Sequence, residues 1–191
     1  MAARNGRLRL APWAAAAFFS SAIGGFAAER TVCEMEMSRA AGLNDIPINV
    51  LYAVGLVETG HRGVLRPFDI NVDGLGVHSP DLAAALAAVA RARQSGARLI
   101  DVGCMQINVR WHGDKFTSLA DMFNARRNVE YAAGFLRELR RREGSWTLAV
   151  ARYNAGPNNF GAQKEYVCRV IGQMVGSGMG NWTPAATRLC K

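Results

Sequence analysis

The sequence predicts an α+β domain, predominantly α, in which a small β lobe interrupts a set of helices. Apolar residues recur at helical spacing in most segments beyond residue 30, one stretch around residues 66–77 alternates with period two, and no repeat or low-complexity linker divides residues 29–191. At 191 residues, half of them hydrophobic and 20% charged, the chain has apolar surface for one core but hardly for two. An aromatic content of 8%, with no heptad or G-x-y period, excludes disordered, coiled-coil and collagen-like classes.

Taken in order, Arg4, Arg7 and Arg9 precede an apolar stretch from Leu10 to Ala28 that ends in small residues. This is the layout of a secretory signal, with Gly25 and Ala27 at the positions where cleavage needs small side chains. Pro12, Ser20, Ser21 and the Gly24-Gly25 pair make the stretch a poor membrane span, and no later segment is apolar enough for one. Cys33 follows Arg30, Thr31 and Val32, which is no lipoprotein site. The expected organisation is a signal peptide at 1–27, one domain at 28–175, and a C-terminal tail at 176–191 packed on that domain.

The formal charge of +8 falls to +5 without residues 1–27, which hold three Arg and no acid. That balance suits an acidic partner without choosing one. All four cysteines, Cys33, Cys104, Cys168 and Cys190, lie beyond residue 27; in an exported chain they imply two disulfides, with three connectivities open. His61, His78 and His112 are scattered and there is no C-x-x-C, so neither a metal nor a cofactor is expected.

Thr31 to Glu34 reads as a capping box opening a first helix that runs toward a stop at Gly42. Pro47 starts a second, with Ile48, Leu51, Tyr52 and Gly55 as its apolar stripe, Glu58 at the end of that stripe and Gly60 as its stop. Phe68, Ile70 and Val72 alternate with polar residues before an Asp73-Gly74 turn, which predicts a short hairpin continuing through Gly76 and Val77. Ser79-Pro80-Asp81 begins an Ala-rich helix, with Ser79 as its cap, that lasts to Ser95-Gly96. Arg98 to Val102 reads as a third strand, Met105 to Trp111 as a short helix, and Ser118 as the cap of another. Val129, Ala132, Ala133, Leu136 and Leu139 stripe a long helix ending at Gly144. Ser145 opens the helix that holds Tyr153, which stops at Gly156-Pro157, and Val167, Val170, Ile171 and Met174 stripe the last.

Glu58 is the residue most suited to chemistry. A carboxyl at the end of a buried stripe is partly desolvated, which raises its pKa and lets it serve as a general acid near neutral pH. Val57-Glu58-Thr59-Gly60, Gly103-Cys104-Met105-Gln106-Ile107-Asn108 and Tyr153-Asn154-Ala155-Gly156 resemble, in that order, the three signature segments of the soluble lytic transglycosylase catalytic domain. Asn128-Val129 to Leu136 is a weaker fourth match, and the resemblance spans about residues 32–175.

That resemblance implies a lysozyme-like fold and cleavage of the bond between N-acetylmuramic acid and N-acetylglucosamine in peptidoglycan. Glu58 matches the single acid/base, and the implied product is a 1,6-anhydromuramyl end, made without water or a second carboxylate. Met105 and Gln106 match residues lining the sugar cleft, Tyr153 and Asn154 the pair that closes around the acid, and Tyr166 a further cleft tyrosine. Thr59 stands where the family usually has serine and is expected beside the substrate. The resemblance further implies a periplasmic monomer acting on glycan strands, without nucleic acid, as accessory to a secretion, conjugation or flagellar apparatus.

Cys104 departs from the family by replacing an aliphatic residue and Arg152 by replacing alanine. About forty residues separate Glu58 from Asp101, roughly double the usual gap, which predicts an enlarged β lobe over one end of the cleft. Asp101, just before the second segment, would turn the enzyme into a muramidase if it held a water, although a turn cap or salt bridge is its expected task. Arg137, Arg140, Arg141 and Arg142 read as a solvated helix face. Two other readings compete: a cysteine peptidase with Cys104 as nucleophile and His112 as base, and a peptidoglycan-binding assembly protein without catalysis.

Overall fold

The computed structural model describes residues 31–60 and 63–191; the expected signal peptide lies outside them. Among these residues nine α-helices surround a four-stranded antiparallel sheet, the predominantly α member of the α+β class expected from the sequence.

The first helix, α1 (Val32–Asn44), starts at the foreseen capping box, with Thr31 N donating to Glu34 Oε2 at 2.8 Å. It does not stop at Gly42. It runs on to Asp45, which takes the left-handed conformation (φ 52°), because Ile46 must turn into the core and Pro47 cannot continue a helix. Helix α2 (Ile48–Glu58) buries Leu51, Ala53, Val54 and Gly55, while Ile48 at its start is exposed. Gly55 lets α1 approach closely: a Cβ there would lie 2.3 Å from Met37 Cε and oblige that side chain to move.

Strands β1 (Ile70–Val72) and β2 (Leu75–Val77) form the expected hairpin, whose turn residues Asp73 and Gly74 both have positive φ. Helix α3 (Leu82–Gln94) begins two residues later than expected, because Asp81 rather than Ser79 caps it, accepting from Ala84 N. Strand β3 (Ile100–Val102) pairs with β1, and β4 (Ile107–Asn108) completes the order β2-β1-β3-β4. Here the expected helix from Met105 to Trp111 is corrected. Gly103 (φ 81°) and Gln106 (φ 44°) form a tight turn into β4, and only Val109–His112 is helical, as α4.

Helices α5 (Leu119–Phe123), α6 (Ala125–Glu143), α7 (Trp146–Asn154) and α8 (Phe160–Gly176) follow. The α6 stripe from Val129 to Leu139 is fully buried as α6 packs on α1 and α7, and α2 packs on α8. Within the C-terminal tail lies α9 (Pro184–Cys190), which packs on α8.

The two disulfides are Cys33–Cys104, joining α1 to the turn after β3, and Cys168–Cys190, joining α8 to α9. No helix among the described residues is long and apolar enough to cross a membrane.

Candidate active site

The helices and the sheet meet at a cleft of about 280 Å³ that brings Glu58, Asp101, Gln106, Tyr153 and Asn154 together. The α2 stripe delivers Glu58 there. Leu51, Val54 and Gly55 anchor the helix in the core, and Glu58, one turn further on the same face, emerges half-buried on the cleft floor. Burial pushes its carboxyl up to about 7, opposed by a hydrogen bond from Tyr166 and reinforced by the nearby charge of Asp101. Its place at the C-terminal, negative end of α2 disfavours ionisation further.

Tyr166, from α8, does not line the cleft. Fully buried behind it, the phenol donates to Glu58 Oε1 at 2.5 Å, so one carboxyl oxygen is held and Oε2 is left for a ligand. Tyr153, from α7, donates to the Met105 carbonyl at 2.9 Å. Burial, then the charge of Glu58, keep both phenols well above their usual range, so they stay protonated donors.

The segment Gly103–Gln106 is held through its backbone. Asn128, buried on α6, accepts from Met105 N at 2.8 Å and donates to the carbonyls of Val102 and Met122, both at 2.9 Å. Gly103 is obligatory, with its positive φ and with a Cβ there reaching to 2.4 Å from Asn128 Nδ2. Met105 is therefore a core side chain that serves the site through its N–H and carbonyl. Thr59 likewise faces inward. Its hydroxyl donates to the Cys104 carbonyl at 3.0 Å and ties the end of α2 to this turn, away from the cleft lining. Gln106 does line the cleft; its amide nitrogen donates to the carbonyls of Asp69 and Gly103, which leaves the side-chain oxygen as the group offered to a ligand.

Asp101 on β3 is also raised by burial, opposed by the 2.7 Å hydrogen bond it accepts from Asn108. One cleft wall is aromatic. Tyr153 packs on Phe135 (centroids 5.8 Å apart) and Phe135 on His112 (5.4 Å), whose Nδ1 lies 2.7 Å from the Tyr131 hydroxyl. Burial lowers the pKa of His112. Leu99, Asn108, Trp111, His112 and Phe135 were not expected in the cleft lining. The polar stretch Asn108 to His112, carrying a tryptophan directly after a signature segment, was the available signal.

Cys104 is buried in its disulfide, and the described residues contain no free cysteine, so the peptidase reading loses its nucleophile. Among the described residues no three His, Cys, Asp or Glu are grouped to hold a metal.

A helical body, a small antiparallel lobe and a carboxyl in the cleft between them make up a lysozyme-like domain. Residues 82–171 match the family model of the transglycosylase SLT domain, the catalytic domain of peptidoglycan-cleaving lytic transglycosylases. The matched span holds Gln106, Asn128, Tyr153, Asn154 and Tyr166 and begins after Glu58. No curated protein and no solved structure matches the chain.

Proposed function

We propose that this protein is a periplasmic lytic transglycosylase that cleaves the β-1,4 bond between N-acetylmuramic acid and N-acetylglucosamine and leaves 1,6-anhydromuramyl ends, with Glu58 as its single acid/base. The observation that carries this reading is the setting of Glu58: half-buried in the cleft, one oxygen held by Tyr166, and titrating at about 7. A carboxyl with that pKa is partly protonated at neutral pH, as a residue that first gives and then takes a proton requires.

The steps balance without water. Glu58 Oε2 gives its proton to the glycosidic oxygen as the bond from C1 of the muramyl sugar to that oxygen breaks. The resulting carboxylate removes the proton of the muramyl C6 hydroxyl, whose oxygen bonds to C1 and closes the anhydro ring, and Glu58 ends protonated again. Tyr166 stabilises the transient carboxylate through its hydrogen bond, which strengthens as the charge develops. The Gln106 side-chain oxygen, the Tyr153 hydroxyl and Asn154 offer polar partners for acetamido and hydroxyl groups. Two disulfides suit an oxidising compartment such as the periplasm.

Asp101 in the same cleft favours a second reading, a muramidase in which this carboxylate activates water. Its bond from Asn108 and its raised pKa argue for a positioning role instead. Mass analysis of muropeptides released by wild type and by Asp101→Asn separates the two. Anhydro products from both enzymes are expected; reducing-end products that vanish in Asp101→Asn identify a muramidase.

A further inference from the structure

We propose that Trp111 is a stacking platform for a sugar ring, a subsite at the mouth of the cleft away from the bond on which Glu58 acts. The inference rests on the function proposed above. Trp111 is 63% exposed and lines the same cleft as Glu58 and Tyr153. A single exposed apolar side chain means little in itself, but this one lies in the cleft lining and its backbone is held by residues of the site.

The guanidinium of Arg110 lies 4.9 Å from the indole centroid and covers one face of the ring. The backbone is tied down by Asn108, whose Oδ1 accepts from Arg110 N at 3.0 Å and Trp111 N at 3.2 Å, while its Nδ2 donates to Asp101 on the cleft floor at 2.7 Å. The next residue, His112, is locked into the aromatic wall through Tyr131 and Phe135. The backbone at Trp111 is thus linked to both sides of the site. An exposed indole in the cleft lining, with a guanidinium against one face, suits a pyranose ring of β-linked N-acetylhexosamines, which presents an apolar C–H face and keeps its hydroxyls at the rim. One ring bound there would hold the strand across the cleft while a bond further along is cleaved.

The test uses the full chain carrying Glu58→Gln, to prevent turnover, and a β-1,4-linked hexamer of N-acetylglucosamine as probe, followed by calorimetry and tryptophan fluorescence. Trp111→Ala is expected to weaken binding about tenfold and Trp111→Phe less than about threefold, as a stacking role requires. Because the side chain is exposed, the thermal melts of both variants are expected to match the parent. In the active chain, Trp111→Ala raises the apparent KM on soluble glycan strands about tenfold and leaves kcat within about twofold. Equal hexamer binding by Trp111→Ala, or no binding by the parent, overturns the proposal. Trp111-dependent binding by a protein that makes no anhydro product would sink the proposed reaction and leave the subsite standing, whereas anhydro product with equal hexamer binding would do the reverse.

Discussion

Glu58→Gln should abolish activity and make the protein more stable, by an amount that depends on pH in a defined way. The carboxyl has an ordinary pKa of 4.5 and is raised to about 7 in the folded chain, chiefly by burial. Below pH 4.5 it is protonated in both folded and unfolded states and contributes nothing to the difference between them. Between 4.5 and 7 the unfolded chain ionises while the folded one keeps its proton, so stability falls by about 1.4 kcal/mol per pH unit. Above about 7 the full loss of about 3 kcal/mol is present and stays constant. Glutamine does not titrate, can still accept from Tyr166 and has nearly the same volume, so it removes this cost. Urea unfolding of wild type and variant at pH 4, 6 and 8, with the disulfides intact, measures the gap between them. A gap near zero at pH 4 that widens to about 3 kcal/mol by pH 8 is expected. A gap that does not change with pH would refute the claim that the fold holds Glu58 against ionisation.

Tyr166→Phe removes a bond that favours the ionised carboxyl, so the alkaline fall in kcat/KM should move up by about 1 pH unit, which a pH–rate profile detects. Asn128→Ala strands the Met105 N–H and two buried carbonyls; a loss of about 3 kcal/mol in denaturant unfolding is expected, together with weakened turnover from a loosened cleft turn. Replacing Cys33 and Cys104 by Ala opens a link across 71 residues and should cost about 4 kcal/mol, against about 3 for the 22-residue link between Cys168 and Cys190. Of the two, only the first loss should lower kcat as well as Tm, because only Cys104 adjoins the cleft turn.

The helical body was legible because its signals are local. The stripes on α2, α6 and α8 and the caps at Thr31, Ser118 and Ser145 lie within a few residues of one another, and the α2 stripe carried Glu58 to the cleft. Errors arose where two local signals competed or where distant residues decided. Gly42 offered a stop, but the need to bury Ile46 moved it to Asp45, and Ser79 and Asp81 were rival caps. The turn at Gly103–Gln106 depends on Asn128, 22 to 25 positions away, so Met105 to Trp111 read as a helix when considered alone. Thr183-Pro184, a cap followed by first-turn proline, announces α9, yet the segment read only as part of a C-terminal tail. Phe135 and Tyr131 sit one step off the buried α6 stripe, a position from which an aromatic reaches into a cleft as readily as into a core. Disulfide pairing is set by the tertiary fold and lies beyond any local pattern.

The order of the pairing has its own consequence. The first cysteine along the chain bonds to the second and the third to the fourth. For a polypeptide threaded through a translocation channel with its amino end leading, each thiol then meets its proper mate as soon as that mate emerges. An oxidase working on the arriving chain would reach the native linkages directly, with no wrong bridge to be reshuffled.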